Sequence, residues 1–257
     1  MSASGTQIKM QPEPKGCWAV TLGDCSKKMS REHTVSRSLF VSDEIMVQGF
    51  PWCSTEPKKI GLSSLVAKIL CEKHNNGLSE LDTAALDSFN VFRECIRLNN
   101  VRGKLKRPPM WNVKRLTIDG PRLERWFLKT LINLSFGGAW TIGRGTHPVG
   151  TVAQELVEVA FGIRQFQDGA GLYVSARTGE NIDSFDRVGM TPLSYGHHLC
   201  AGRFNFRGFT FFLNLIPHKF EADGEANLLY RDVTHKWNVQ GRLSHVISIK
   251  GWADLIK

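Results

Sequence analysis

Two soft ligands separated by two residues, Cys71 and His74 in Cys71-Glu72-Lys73-His74, constrain this chain more than any other feature. That gap lets one turn of backbone bring a thiolate and an imidazole to one ion. Zinc takes four such ligands in a tetrahedron. The other two must come from the remaining cysteines, and Cys17 and Cys25 complete the set Cys17, Cys25, Cys71 and His74. The gap between Cys17 and Cys25 is wider than an ordinary knuckle, so Cys53, in Trp52-Cys53-Ser54, stands as an alternative to Cys17. Cys95 falls in a helical pattern and Cys200 in a strand-like one, and both read as core. Residues 1–14 are polar and read as a flexible tail without an export signal. Cysteines in that setting imply reduced thiols in a cytoplasmic protein rather than a disulfide framework. No apolar run reaches eighteen residues, so nothing in the sequence spans a membrane.

Beyond the tail the chain divides into an expected zinc-binding unit over 15–100 and an α+β unit over 101–257. The first ends in a helical pattern in which Leu78, Leu81, Ala85, Phe89, Phe92 and Ile96 recur at three- and four-residue steps. A second helix starts at Asp119, with Asp119 as N-cap and Pro121 in the first turn. Its apolar stripe is Leu123, Trp126, Phe127, Leu131 and Leu134, and Gly137-Gly138 stops it. Thr151–Phe161 predicts a shorter helix closed by Gly162. From Ala170 onward the chain is β-rich. Gly171–Val174, Leu228–Tyr230 and His245–Ile249 read as strands, and Phe204–Phe206 and Phe209–Leu215 form a hairpin about Arg207-Gly208. The expected fold class is α+β, with helices packed on an antiparallel sheet.

The formal charge is +9, an excess that favours polyanions such as nucleic acid. It is concentrated in a basic bridge, where Lys104, Lys106, Arg107, Lys114 and Arg115 are candidate phosphate contacts and Trp111 a candidate stacking platform. Pro108-Pro109 excludes a continuous helix there. Arg122, Arg125 and Lys129, off the apolar stripe of the next helix, extend the same surface. Gly143-Arg144-Gly145 is too short for a phosphate loop. His197-His198 sit adjacent on a strand, where neighbours point to opposite faces and share no ion easily.

Arg31-Glu32-His33 and Cys71-Glu72-Lys73-His74-Asn75-Asn76-Gly77, with the cysteines upstream, resemble the HNH endonucleases of the treble-clef or ββα-metal group. The resemblance covers about Cys17 to Leu81, with His74 standing where the family has a second cysteine. It implies an N-terminal treble clef stapled by structural Zn²⁺, and hydrolysis of phosphodiesters, with DNA as substrate, in a bacterial or phage-defence setting. His33 would be the general base. Glu32 and Asn75 would hold a catalytic Mg²⁺ or Mn²⁺ through oxygen. The family's middle asparagine is missing, because Ser63–Leu70 contains none. The alternative is a non-catalytic zinc-stabilised module that binds nucleic acid or protein, and a homodimer is compatible with either.

Overall fold

The computed structural model describes residues 16–40, 43–49, 53–107, 110–175, 187–206, 209–217 and 228–253. Pro108-Pro109, Arg207-Gly208 and the residues 1–14 expected as a tail lie outside them. The strands and helices that follow Cys17 and Cys25 are β1 (Glu32–His33), β2 (Glu44–Gln48), β3 (Lys58–Gly61), β4 (Val66–Ala67), α1 (Glu72–Gly77) and α2 (Ser79–Gly103). Next come β5 (Lys114–Asp119), α3 (Gly120–Ser135), β6 (Thr141–Ile142) and α4 (Gln154–Ala160). The β-rich part holds β7 (Gly171–Ser175), β8 (Arg187–Tyr195), β9 (His198–Phe206), β10 (Phe209–Asn214), β11 (Leu228–Tyr230), β12 (Val233–Val239) and β13 (Arg242–Lys250).

The three long-period patterns become helices for the expected reasons. In α2 the buried stripe is Leu81, Ala85, Phe89 and Phe92, continuing through Cys95 and Leu98, with Ile96 half-buried. The Asp119 carboxylate accepts from the Arg122 backbone N–H at 3.0 Å and caps α3, and Pro121 sits in its first turn. α4 closes at Gly162, whose φ is +72°.

α3 departs from the amphipathic expectation. It packs against α2, α4 and both large sheets, and it is buried on nearly every side from Trp126 to Asn133. A helix enclosed in this way must satisfy its polar side chains internally. Glu124 accepts from Arg231 and from the Leu172 backbone N–H, and Asn133 accepts from Trp18. Lys129 is therefore not a surface cation, and Arg125 is half-buried with its guanidinium on the Ala160 carbonyl. Of the three, only Arg122 is exposed.

The β structure is mixed, not a single antiparallel sheet. One sheet of eight strands runs β11-β7-β10-β9-β8-β2-β3, with β6 beside β9. β2 lies parallel to β8 and β6 parallel to β9. The hairpin joins β9 to β10 with Phe206 opposite Phe209. A second sheet orders β12-β13-β5, in which β5 is parallel to β13. A third is the short pair β1-β4. Stretch 34–62 contributes β2 and β3 to the large sheet. One apolar cluster runs from Cys17 and Trp18 through Phe89, Trp126 and Phe204 to Trp252. The architecture is thus α+β, with helices packed on sheets and a Cys/His cluster near the N-terminus. No described helix is long and apolar enough to cross a membrane.

Candidate metal centre

Three short segments deliver four ligand atoms to one point. Cys71 is the N-cap of α1, and the Asn75 backbone N–H donates to its carbonyl at 2.9 Å. His74 follows three residues later on the same side of the turn. The segment carrying Cys25 is laced to the start of α1. Ser30 N–H donates to the Leu70 carbonyl at 2.8 Å, and Glu72 N–H to the Lys28 carbonyl at 2.9 Å. Ion pairs Lys28–Glu72, at 2.6 Å, and Lys73–Asp24 lie over the same seam. Cys17 is set by its neighbour, whose N–H donates to the Ile69 carbonyl at 2.9 Å.

The Cys17, Cys25 and Cys71 sulfurs stand 3.3, 3.6 and 3.3 Å from His74 Nδ1. All four ligand atoms lie within 4.8 Å of one another. Zinc bonds to sulfur and nitrogen imply tetrahedral edges of about 3.5–3.8 Å, so the cluster fits a zinc ion with little adjustment. Cys17, Cys71 and His74 are buried and Cys25 is exposed. Phe161 packs edge-on to the His74 ring, with centroids 5.5 Å apart, and Trp18 packs edge-on to Phe161 in turn. Cys53 is also buried but stands outside the cluster, so Cys17 is the fourth member.

The electrostatics without metal are uneven. Burial pushes the Cys17 thiol up to about 12. Burial acts on Cys71 in the same direction, but the His74 backbone N–H and the Ser26 hydroxyl outweigh it and bring Cys71 down to about 7. Burial, then the nearby Lys73 charge, hold His74 below the ordinary histidine value. A neutral imidazole beside an acidified thiol is the form a metal takes. As ligands to a zinc ion, three thiolates and an imidazole would leave no open coordination position, the pattern of a structural site.

Glu32, His33 and Asn75 occupy different surroundings. β1 pairs antiparallel with β4, Glu32 opposite Ala67 and His33 opposite Val66. Neighbours on a strand face opposite ways, and here Glu32 is buried while His33 is half-buried. The Glu32 carboxylate accepts from the Lys129 ammonium at 2.9 Å. Lys129, only 2 % exposed, also donates to both Asp82 carboxylate oxygens at 3.1 and 3.0 Å. Ser36 hydroxyl donates to Asp82 at 2.5 Å, and Trp126 Nε1 donates to Ser36 at 2.8 Å. Asn75 Nδ2 donates to Ser30 Oγ at 3.0 Å. The Cys17, Cys25, Cys71 and His74 cluster is the one group of three or more His, Cys, Asp or Glu side chains, among the described residues, placed to share an ion. No site for a catalytic Mg²⁺ or Mn²⁺ is evident among them.

Sequence reasoning missed the partners of Glu32. Lys129 lies on α3, far along the chain from Glu32 on β1. Flanking apolar residues on both sides, Trp126-Phe127-Leu128 and Leu131-Ile132, are the available signal.

The candidate basic residues Lys104, Lys106, Arg107, Lys114 and Arg115 are all exposed. Trp111 is not a free platform, because its Nε1 donates to the Leu243 carbonyl at 3.0 Å and the Arg102 guanidinium lies 4.9 Å over its ring. His198 is exposed on β9 and its Nδ1 meets Thr141 Oγ1 at 2.8 Å. Comparison of the chain with protein-family models, with curated proteins and with solved structures finds no match in any of the three.

Proposed function

We propose that this chain is a non-catalytic, zinc-stabilised module that binds nucleic acid. The observation that carries the reading is the convergence of three sulfurs and one imidazole nitrogen within 4.8 Å. Cys17, Cys25, Cys71 and His74 would hold Zn²⁺, which supplies a rigid four-way cross-link between segments distant in sequence. The net charge of +9 and the exposed Lys104, Lys106, Arg107, Lys114 and Arg115 support a polyanionic partner. Elemental analysis is expected to find about one zinc per chain. A cysteine-to-serine change at Cys71 should abolish it, and one at Cys53 should leave it in place. Zinc retained by Cys71→Ser rejects the reading. Binding to DNA or RNA is expected to weaken steeply as salt rises.

An HNH-type endonuclease is the second reading, supported by the short antiparallel β1-β4 pair leading into α1 beside the zinc cluster. In it His33 is the base and Glu32 with Asn75 holds Mg²⁺ or Mn²⁺. Against it, the Glu32 carboxylate is already engaged by a buried ammonium. Plasmid nicking with Mg²⁺ or Mn²⁺, on wild type and His33→Ala, decides between them. Cleavage lost in the variant would establish the enzyme, and salt-sensitive binding without cleavage supports the module.

A further inference from the structure

We infer that the open face of the β12-β13-β5 sheet is the nucleic-acid surface, and that it grips the sugar-phosphate backbone rather than the bases. This rests on the nucleic-acid reading above and names where and how contact is made. Because β5 inserts parallel to β13, Arg115 comes opposite Val246, and Val246 comes opposite Lys236 on β12. The next row on the same face is Thr234, Ser248 and Thr117. Arg115, Lys236, Thr117 and Thr234 are exposed, Val246 between the two cations is buried and Ser248 is half-buried, and neither row contains a carboxylate. Strand spacing sets Arg115 and Lys236 about 10 Å apart at the backbone, one on each side of β13. Flexible cationic side chains flanking neutral hydroxyl donors suit a run of phosphates and sugars.

The opposite face of the sheet cannot play this part. Leu116, Ile118, Ile247 and Ile249 turn inward, and the sheet packs on α2 and α3. The aromatic side chains of the sheet lie on that inner side as well. Trp237 stacks on the buried His245, with centroids 5.3 Å apart and planes 14° from parallel. The open rows therefore offer charge and hydroxyls but no ring for a base to stack on. Contacts confined to the backbone fix position without reading sequence. At one end of the sheet, the Gln240 side-chain amide donates to the carbonyls of Arg102, Gly103 and Leu105 at 3.0, 3.2 and 2.7 Å. That tie holds the turn between β12 and β13 against the end of α2. Lys104 lies within the segment so tied, and it and Lys106 are exposed.

The test is fluorescence anisotropy of short mixed-sequence duplex DNA over a salt series, with the zinc-loaded full chain. The Arg115→Glu/Lys236→Glu variant, checked for unchanged zinc content and melting temperature, is expected to bind at least roughly tenfold more weakly. Its log K against log salt slope should be shallower by about two, one phosphate contact for each cation. Arg115→Gln/Lys236→Gln should show the same loss of slope with a smaller loss of affinity. Lys58→Glu/Lys59→Glu, on the edge of the large sheet, should bind like wild type. Wild-type affinity in the Arg115→Glu/Lys236→Glu variant overturns this surface while leaving the nucleic-acid reading standing. A strong preference between duplex sequences overturns backbone-only contact. Wild-type protein that ignores duplex at low salt, or binds anionic phosphatidylserine vesicles instead, overturns both.

Discussion

At the scale of single residues, the Cys/His cluster is legible in the sequence because its shortest spacing is local. Cys71 and His74 declare themselves by a two-residue gap, whereas Cys25, far upstream just before Arg31-Glu32-His33, is brought to them by the lacing of its segment to the start of α1. The choice of Cys17 over Cys53 was not legible, since it depends on where Trp18 is pinned to Ile69. The unequal acidities give a first prediction. Near neutral pH the metal-free cluster keeps Cys17 and Cys25 protonated and Cys71 roughly half so. Zinc binding should then release about two to three protons. Titration calorimetry in buffers of different ionisation enthalpy measures this, and apparent affinity should fall as pH is lowered. A release near zero would mean that the thiols do not bind as a set.

His245 gives a second prediction at this scale. It has no exposed surface, and burial first, then the Arg102 charge, push it down to about 4. The unfolded histidine takes a proton near 6.5, so between those values the unfolded chain holds the extra proton. The contribution is complete above about pH 6.5 and is lost as pH falls through 4, on the order of 3 kcal/mol in total. His245→Phe keeps a ring against Trp237 and removes the titration. Its urea midpoint should depend less on pH over that window than the wild-type midpoint does. Parallel pH profiles for the two proteins would remove His245 as the cause.

At the scale of elements, periodicity found the helices and their caps but not the company they keep. The α3 stripe of Leu123, Trp126, Phe127 and Leu131 implied one buried face, whereas the helix lies between α2, α4 and two sheets. Strand β2 carries a readable alternation, with Ile45 and Val47 inward, but it is only five residues long. Strand β5 begins with the basic pair Lys114-Arg115, which masks the alternation of Leu116 and Ile118 toward the core. The enclosure of α3 makes Lys129 the test of this level. Its ammonium is what allows the buried carboxylate of Glu32 to lie beside the half-buried carboxylate of Asp82. Lys129→Met preserves much of the volume and strands both anions, which should cost about 3–5 kcal/mol in urea unfolding. Glu32→Gln added to Lys129→Met should recover part of that loss, because one of the stranded charges is gone. Equal losses in the single and double variants would show that packing, not charge, dominates at this position.

At the scale of the whole molecule, no local feature of sequence announces the long-range pairings. The parallel contacts β2-β8 and β5-β13 join stretches separated by more than a hundred residues. Their consequence is that the two units expected from composition, 15–100 and 101–257, share one apolar cluster. Phe92 of α2 packs on Phe209 and Phe211 of β10, with centroids 4.3 and 5.7 Å apart. Trp126 of α3 packs on Phe89 of α2, and the β2-β3 hairpin extends the sheet begun by β8. Cutting the chain near residue 100 would expose both sides of these contacts, along with the unpaired edge of β8. Fragments 1–100 and 101–257, expressed separately, are therefore expected to lack cooperative unfolding transitions, the first even with zinc supplied. The intact zinc-loaded chain should unfold with fluorescence and far-ultraviolet circular dichroism changing together. Two well-separated transitions in the intact chain, or a cooperative transition in the 101–257 fragment, would show that the clasp and the sheets are stable apart. In that case the zinc cluster would rigidify only its own neighbourhood, and its loss would leave the cationic sheet face intact. If the prediction holds, removing zinc should weaken nucleic-acid binding as well, because the same core supports the clasp at one end and β12-β13-β5 at the other.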